Sequence, residues 1–203
     1  MTSADASTVH DDGAPLQDVA RANLYAIIGR FFYSAPDDLL LAAITQDESE
    51  DAMVQGALGT SWRELRQTCR TAFPVVLRQE FDNLFVGVGK CEITPYLSHY
   101  VKEARSGQHL VRLRQLLDGW GLARRDAAGE TEDHVSGVCD VMRYLVSEGY
   151  PVEDQKLFFN EFVFASMPDF CAAINRSPNA SFYRCVAQFT AAFLTLEKAA
   201  FDF

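Results

Sequence analysis

The sequence predicts an all-α protein, folded as a single helical-bundle domain of about eight to ten helices. Apolar residues recur at spacings of three and four along most of the chain, as they do on the buried face of a helix. Signals for β-strands are missing, since there is no sustained alternation of apolar and polar residues and no hairpin built on Asn-Gly or Asp-Gly. With 203 residues and 48% hydrophobic content, the chain can bury a core without disulfides or metals.

The domain is predicted to span residues 16–203, after a disordered leader at 1–15. A first helix ends at Ser34-Ala35-Pro36, and a short second helix covers Leu39–Ile44. The apolar face of the first helix is formed by Leu24, Tyr25, Ile27, Ile28, Phe31 and Phe32.

The next helices are bounded by capping and proline signals. Ser61-x-x-Glu64 has the form of a capping box, which predicts a helix start at Ser61. Pro74 either kinks this helix or begins the next one, which continues to Gly87 and Gly89. The residues predicted to face inward along both parts are Trp62, Leu65, Cys69, Phe73, Leu77, Phe81, Leu84, Phe85 and Val88.

The second half has four more helical stripes, and the last is predicted to begin at Ser177-Pro178, a cap followed by proline at the first helical position. The first stripe ends near Gly119 and Gly121, and the third reaches Pro168. In chain order the stripes are Leu110, Leu113, Leu117 and Trp120; Val135, Val138, Met142 and Leu145; Phe158, Phe159, Phe162 and Val163; and Phe182, Cys185, Phe189, Phe193 and Leu196.

Charge and cysteine content limit the classes of partner. The formal net charge is −10, which disfavours nucleic acid and anionic lipid and suits a basic peptide. Five cysteines in odd number, widely spaced and without Cys-x-x-Cys, are typical of reduced thiols in a cytoplasmic protein. The chain has no run of ~18 uninterrupted apolar residues, and its polar, acidic start lacks the features of a signal peptide. We therefore expect a cytoplasmic protein without stable membrane insertion.

Metal and nucleotide chemistry find little support in the spacing of residues. None of the four histidines has a glutamate three residues before it, which is the spacing that helical metal sites use, so no metal ligands and no cofactor are predicted. The Gly87-Val88-Gly89-Lys90 loop is superficially similar to a phosphate-binding loop. It follows a helix instead of a strand and lacks the rest of a nucleotide fingerprint.

The segment GETEDHVSGV, residues 129–138, places three acids and a histidine just before a helical stripe. Glu130, Glu132 and Asp133 suit the positive end of a helix, and Thr131 or Asp133 could cap its free N–H groups. A second interpretation is that these three acids form an anionic rim that binds a basic ligand. An acid–base or metal role for Asp133 and His134 is the third, and the least favoured.

The segment EFDNLFVGVGKCEITPYLSHY, residues 80–100, ends a helix in a Gly-x-Gly loop and then presents Tyr96 and Tyr100 in a proline-containing loop. Tyrosine combines an apolar face with a polar tip, which suits peptide recognition. From the residues alone, a packed connector and a binding surface are equally good interpretations.

Together the two segments resemble the TorD/DmsD family of cytoplasmic chaperones for molybdenum-containing redox enzymes. The first family signature has the form E-x-x-x-LF-x-G-x-G followed by PY-x-S-x-Y, and the second is E-P-x-D-H. The matching residues are Glu80, Leu84, Phe85, Gly87, Gly89, Pro95, Tyr96, Ser98 and Tyr100, then Glu130, Asp133 and His134. Thr131 and Val88 depart from the family, which usually has proline at both positions.

The resemblance implies a chaperone that is not an enzyme. Such a protein binds the twin-arginine signal peptide, or the apo-form, of a molybdopterin-dependent oxidoreductase and delays export until the cofactor is inserted. The implied structural residues are Glu80, Gly87, Gly89 and Pro95, and a homodimer is left open. The implied binding residues are Phe85, Tyr96, Ser98, Tyr100, Glu130, Glu132, Asp133 and His134. The competing hypothesis is a nucleotide- or metal-dependent hydrolase that uses the Gly87–Lys90 loop and His134.

Overall fold

The all-α prediction is confirmed by the computed structural model, which describes residues 16–46, 56–87, 91–101, 106–123 and 129–202. Nine α-helices lie within those ranges, and no β-strand does. The α-helices are α1 (Leu16–Tyr33), α2 (Asp38–Gln46), α3 (Gly56–Arg70), α4 (Pro74–Phe81), α5 (Ser106–Gly119), α6 (Val135–Ser147), α7 (Val152–Phe158), α8 (Met167–Arg176) and α9 (Phe182–Phe201). The predicted leader, the acidic segment at 47–51, Val88, Gly89 and Lys90 lie outside the described residues.

The bundle is organised around two helix pairs. Helix α1 packs most extensively on α6, and α9 packs on both α3 and α8. Gly29 stands where α1 crosses α6, and a Cβ atom there would lie 3.2 Å from Cys139 Cβ and 3.4 Å from the Ser136 carbonyl oxygen. This close approach explains why the buried face of α1 contains a glycine.

Two predictions in the first half are corrected. Helix α3 begins at Gly56, so Ser61 is not its cap but a buried residue inside it, with its hydroxyl donating to the Leu58 carbonyl at 3.0 Å. Phe73 does not point inward, because it precedes α4 and is 71% exposed. Pro74 begins a new helix instead of kinking the old one.

The start of α9 is also corrected. Ser177 ends α8, and Asn179 N donates to its hydroxyl at 3.1 Å, so Ser177-Pro178 belongs to a turn. Helix α9 starts at Phe182 and is capped from a distance by the Glu80 carboxylate. That carboxylate accepts hydrogen bonds from the backbone N–H groups of Ser181 (2.8 Å), Phe182 (3.2 Å) and Tyr183 (2.9 Å). At the other end of the stripe, Leu196 faces outward at 54% exposure.

Two π-helical turns carry aromatic residues into the core. Asp82–Val86 continues α4, and Phe159–Phe164 lies between α7 and α8. The stretch Val152–Arg176 is apolar and long enough to cross a membrane by length and composition. Half of its most apolar window is buried inside the protein, as in the core helix of a bundle.

An aromatic cluster joins α1, α4, α8 and α9. Phe85 packs edge-on against Tyr183 with ring centroids 4.9 Å apart, and Phe32 packs against Phe170 at 5.0 Å. Phe81 completes the cluster, 5.3 Å from Phe85. Because aromatic rings bury large areas, the cluster fixes the positions of these helices relative to one another.

A largely buried polar network is centred on Glu197. Glu197 is almost fully buried and accepts hydrogen bonds from Arg21 Nε at 2.9 Å and from the Tyr25 hydroxyl at 2.9 Å. Burial and the Glu197 charge raise the pKa of Tyr25, which therefore remains a neutral donor. The network ties α1 to α9.

Replacing the carboxylate that caps α9 should destabilise the protein. We expect Glu80→Ala to lower the free energy of unfolding by about 1–2 kcal/mol, because it removes the acceptor of three N–H groups at a helix start. Glu80→Gln should lose less, since it keeps one acceptor oxygen. Urea denaturation followed by circular dichroism measures the change. Glu64→Ala, an exposed position on α3, is the matched control, and an equal loss there would contradict the assignment.

Candidate functional site

A short antiparallel bridge joins the two sequence motifs. Leu97 N donates to the Asp133 carbonyl at 2.9 Å, and Val135 N donates to the Pro95 carbonyl at 2.9 Å. Between these hydrogen bonds, Tyr96 lies opposite His134, with ring centroids 5.4 Å apart in an edge-on arrangement. Segments far apart in the sequence thus form one site.

Asp133 supports the site from within. Only 2% of Asp133 is exposed, and its carboxylate accepts hydrogen bonds from the hydroxyls of Ser98 and Thr131. Each carboxylate oxygen therefore has one hydroxyl donor within the protein. Asp133 and Ser98 thus hold the two motifs together and do not form part of an open acidic rim.

His134 is the residue that caps α6, where the sequence suggested Thr131 or Asp133. Its Nδ1 accepts from Ser136 N at 3.2 Å and lies 2.7 Å from the Ser136 hydroxyl. An acceptor Nδ1 leaves the proton of the neutral ring on Nε2. Burial lowers the pKa of His134, and the negative charges of Glu130 and Asp133 partly oppose that effect.

Tyr96 and Glu130 form the exposed part of the site. The Tyr96 hydroxyl donates to the Glu130 carboxylate, and this hydrogen bond, together with burial and the nearby negative charges, raises the pKa of Tyr96 to about 12. Glu132 lies apart from them, because its carboxylate accepts from Arg114 Nε and Nη2, both at 3.0 Å. Of the three acids in residues 129–138, Glu130 is therefore the exposed one.

A groove of about 940 Å³ opens in front of these residues. Its floor contains Phe32, Phe81 and Phe85 from the aromatic cluster, and one wall follows the segment from Cys91 to Tyr100. Five of the eight predicted binding residues line it, and they are Phe85, Tyr96, Tyr100, Glu130 and His134. Ser98, Glu132 and Asp133 do not line it.

The predicted structural residues have distinct positions. Glu80 caps α9, the Pro95 carbonyl takes part in the bridge, and Gly87 adopts φ +59°, a left-handed conformation that favours glycine, at the end of the π-helical turn. Gly89 lies outside the described residues. Within the bundle, Tyr100 donates its hydroxyl to the Thr94 carbonyl at 2.9 Å and packs against Phe170.

Sequence reasoning missed the contribution of α8 to the groove. Ala173 and Arg176 line it, together with Tyr33 from the end of α1. Tyr33, the last residue of α1, is 65% exposed, although the two phenylalanines before it are buried. An arginine in the last turn of a helix carries no signal of a site, because helix ends commonly have a basic residue there.

The hydrolase hypothesis gains no support from the geometry. Gly87 can be placed, but Gly89 and Lys90 of the proposed phosphate loop lie outside the described residues. His134 uses Nδ1 to cap a helix. In the described part of the chain, no three residues of the His, Cys, Asp and Glu types lie close enough to share a metal ion.

Comparison with known proteins agrees with this arrangement. The family model described as "Nitrate reductase delta subunit" matches residues 51–172, more than half of the chain. The fold is similar to that of a protein from Archaeoglobus fulgidus assigned to redox enzyme maturation, with a TM-score of 0.52 and 19% sequence identity. The alignment covers 95% of this chain and 99% of that one. A search of curated proteins finds no significant match.

The fold is an all-helical bundle similar to that of the Archaeoglobus fulgidus protein. The chain belongs to the nitrate reductase delta subunit family, which comprises the TorD-like proteins, and the resemblance to the TorD/DmsD family is thereby confirmed. The family match covers both motifs and helix α5 between them.

Protonation of His134 should weaken the fold. Its pKa is lowered in the folded state, so the neutral form is favoured there, and the associated stability is present above the ordinary histidine pKa of about 6.5 and lost as pH falls below it. We expect wild-type protein to lose stability between pH 7 and pH 5 more steeply than His134→Asn, which keeps a capping acceptor that does not titrate.

Thermal unfolding across this pH range measures the difference. His99→Asn, at an exposed position beside the groove, should retain the wild-type slope. Burial also lowers the pKa of His109. Because all three proteins contain His109, it contributes equally to the pH dependence of their stability. An identical slope for wild type and His134→Asn would show that His134 does not titrate in this way.

Proposed function

We propose that this protein is a maturation chaperone for a molybdopterin-dependent oxidoreductase, and that the groove binds the client's twin-arginine signal peptide. By holding the leader, and with it the apo-enzyme, the chaperone delays export until the cofactor is inserted. The proposal places the chaperone in the cytoplasm and gives it no catalytic step. Its support is membership of the family together with a groove that combines an aromatic floor with an acidic edge.

The observation that carries the proposal is the position of Glu130 beside Tyr96 at the edge of the groove. A guanidinium group can donate charge-assisted hydrogen bonds to this carboxylate, and the Tyr96 ring offers a face on which it can stack. The Tyr96 hydroxyl would then exchange its hydrogen bond to Glu130 for one to water or to the leader. The arginine pair is therefore proposed to lie at the Glu130 end of the groove.

The apolar part of the leader supplies most of the affinity in this proposal. Micromolar binding corresponds to about −8 kcal/mol, whereas an exposed ion pair contributes about 0–1 kcal/mol. Burial of apolar side chains against Phe85, Phe81 and Tyr100 supplies the remainder. The net charge of −10 accelerates the encounter with a basic leader.

Titration calorimetry with a synthetic leader tests the proposal. The peptide carries two adjacent arginines followed by an apolar stretch, and a second peptide has glutamine in place of both arginines. We expect micromolar binding of the arginine peptide. Glu130→Gln should weaken it by up to about fivefold, the effect of one exposed charge pair. Tyr96→Ala should weaken it by about tenfold, because an aromatic contact and its stacking surface are lost.

Two controls separate recognition from general charge effects. Glu148→Gln removes an exposed acid at the opposite end of α6 and should leave the affinity unchanged. The glutamine peptide should not distinguish wild type from Glu130→Gln. Absence of binding at tens of micromolar, or equal effects of Glu130→Gln and Glu148→Gln, would count against the proposed site. Asp133 is unsuitable for this test because its replacement would disturb the bridge.

A further inference from the structure

The second wall of the groove is one face of α8. Phe170, Ala173 and Arg176 follow one another at three-residue spacing and therefore share a side of the helix. Phe170 packs against Tyr100 with centroids 5.7 Å apart, and Ala173 and Arg176 line the groove beyond that contact. Arg176, the last residue of α8, thus brings a positive charge to the groove at the end of the apolar wall.

The Arg176 guanidinium is available for a ligand. Among the residues that the structure describes, it makes no ion pair and no side-chain hydrogen bond. Glu92 also lines the groove, but its carboxylate oxygens accept from the Ser177 hydroxyl at 2.6 Å and from Asn179 Nδ2 at 2.8 Å. Those hydrogen bonds hold Glu92 to the turn after α8.

The two tyrosines of the groove have charged side chains of opposite sign near them. The negative charges of Glu130 and Asp133 act on Tyr96 and raise its pKa. Burial, with smaller effects of Cys91 and Cys171, raises the pKa of Tyr100, and the positive charge of Arg176 opposes a small part of that rise. The groove thus has the Glu130 carboxylate beside Tyr96 and the Arg176 guanidinium at the end of α8, while the Glu92 carboxylate is held by the turn after that helix.

We propose that Arg176 is a specificity-determining residue, which binds an acidic side chain of the leader located after its apolar stretch, and that this contact sets the direction of the bound leader. The inference rests on the proposed function of the groove. A leader in the opposite direction would bring its arginine pair against Arg176, where like charges repel. In the favoured direction, the planar guanidinium can bind a carboxylate through two parallel hydrogen bonds.

A set of capped peptides without terminal charges tests this direction. Each has two adjacent arginines and an apolar stretch, followed by Glu, Gln or Lys, and the length of the stretch is varied. A positional control has the Glu before the arginines. The protein variants are Arg176→Glu and Arg176→Lys. The matched control is Arg78→Glu, which makes the same change in net charge at an exposed position of α4 that does not line the groove.

Wild-type protein should bind the Glu peptide about two- to fivefold more tightly than the Lys peptide, the range expected for one exposed pair. Arg176→Glu should reverse that preference, and Arg176→Lys should retain it in weaker form. Arg78→Glu should behave as wild type, and the positional control should not respond to Arg176.

The result that overturns the inference is binding of all peptides by wild type and Arg176→Glu with no preference between Glu and Lys at any length of the stretch. That result leaves the proposed function intact. An equal reversal by Arg78→Glu also overturns it, because the effect then reflects net charge. Failure of every peptide to bind overturns both the inference and the proposed function.

Discussion

The antiparallel bridge between Tyr96 and His134 is the constraint on which the site depends. Two backbone hydrogen bonds bring a loop against the start of α6, although the two segments are separated by more than thirty residues. The buried carboxylate of Asp133, bonded to Ser98 and Thr131, holds the bridge from one side. Without the bridge, Tyr96 and Glu130 would not be held in fixed positions relative to each other at the edge of the groove. The hydrogen bonds of Asp133 with Ser98 and Thr131 therefore have a structural role.

The periodicity of apolar residues predicted the helices well, because the apolar face that a helix buries is formed by residues close together in the sequence. A stripe such as Val138, Met142 and Leu145 is buried wherever the helix docks, so the pattern alone is sufficient. The capping box failed for a related reason. Its spacing was correct, but the apolar stripe of α3 extends upstream to Leu58, and burial of that residue extends the helix past Ser61.

The candidate site was less accessible to sequence reasoning, since its parts come from four regions of the chain. The motifs indicated Tyr96 and Glu130, yet no local pattern shows that Asp133 faces inward or that Arg176 borders the same groove. The cap on α9 is similar, because a helix start without a capping side chain of its own gives no clue that Glu80 provides one. Such contacts depend on packing between distant segments and become visible only in three dimensions.

The capping of α9 by Glu80 links the start of that helix to the floor of the groove. The three hydrogen bonds to the Glu80 carboxylate join segments about a hundred residues apart, so they require the intervening chain to be folded back on itself. Tyr183, one of the capped residues, also packs against Phe85 in the aromatic cluster that forms the floor of the groove. Loss of the Glu80 cap would therefore disturb the helix start that holds Tyr183 against Phe85, and with it the floor of the groove.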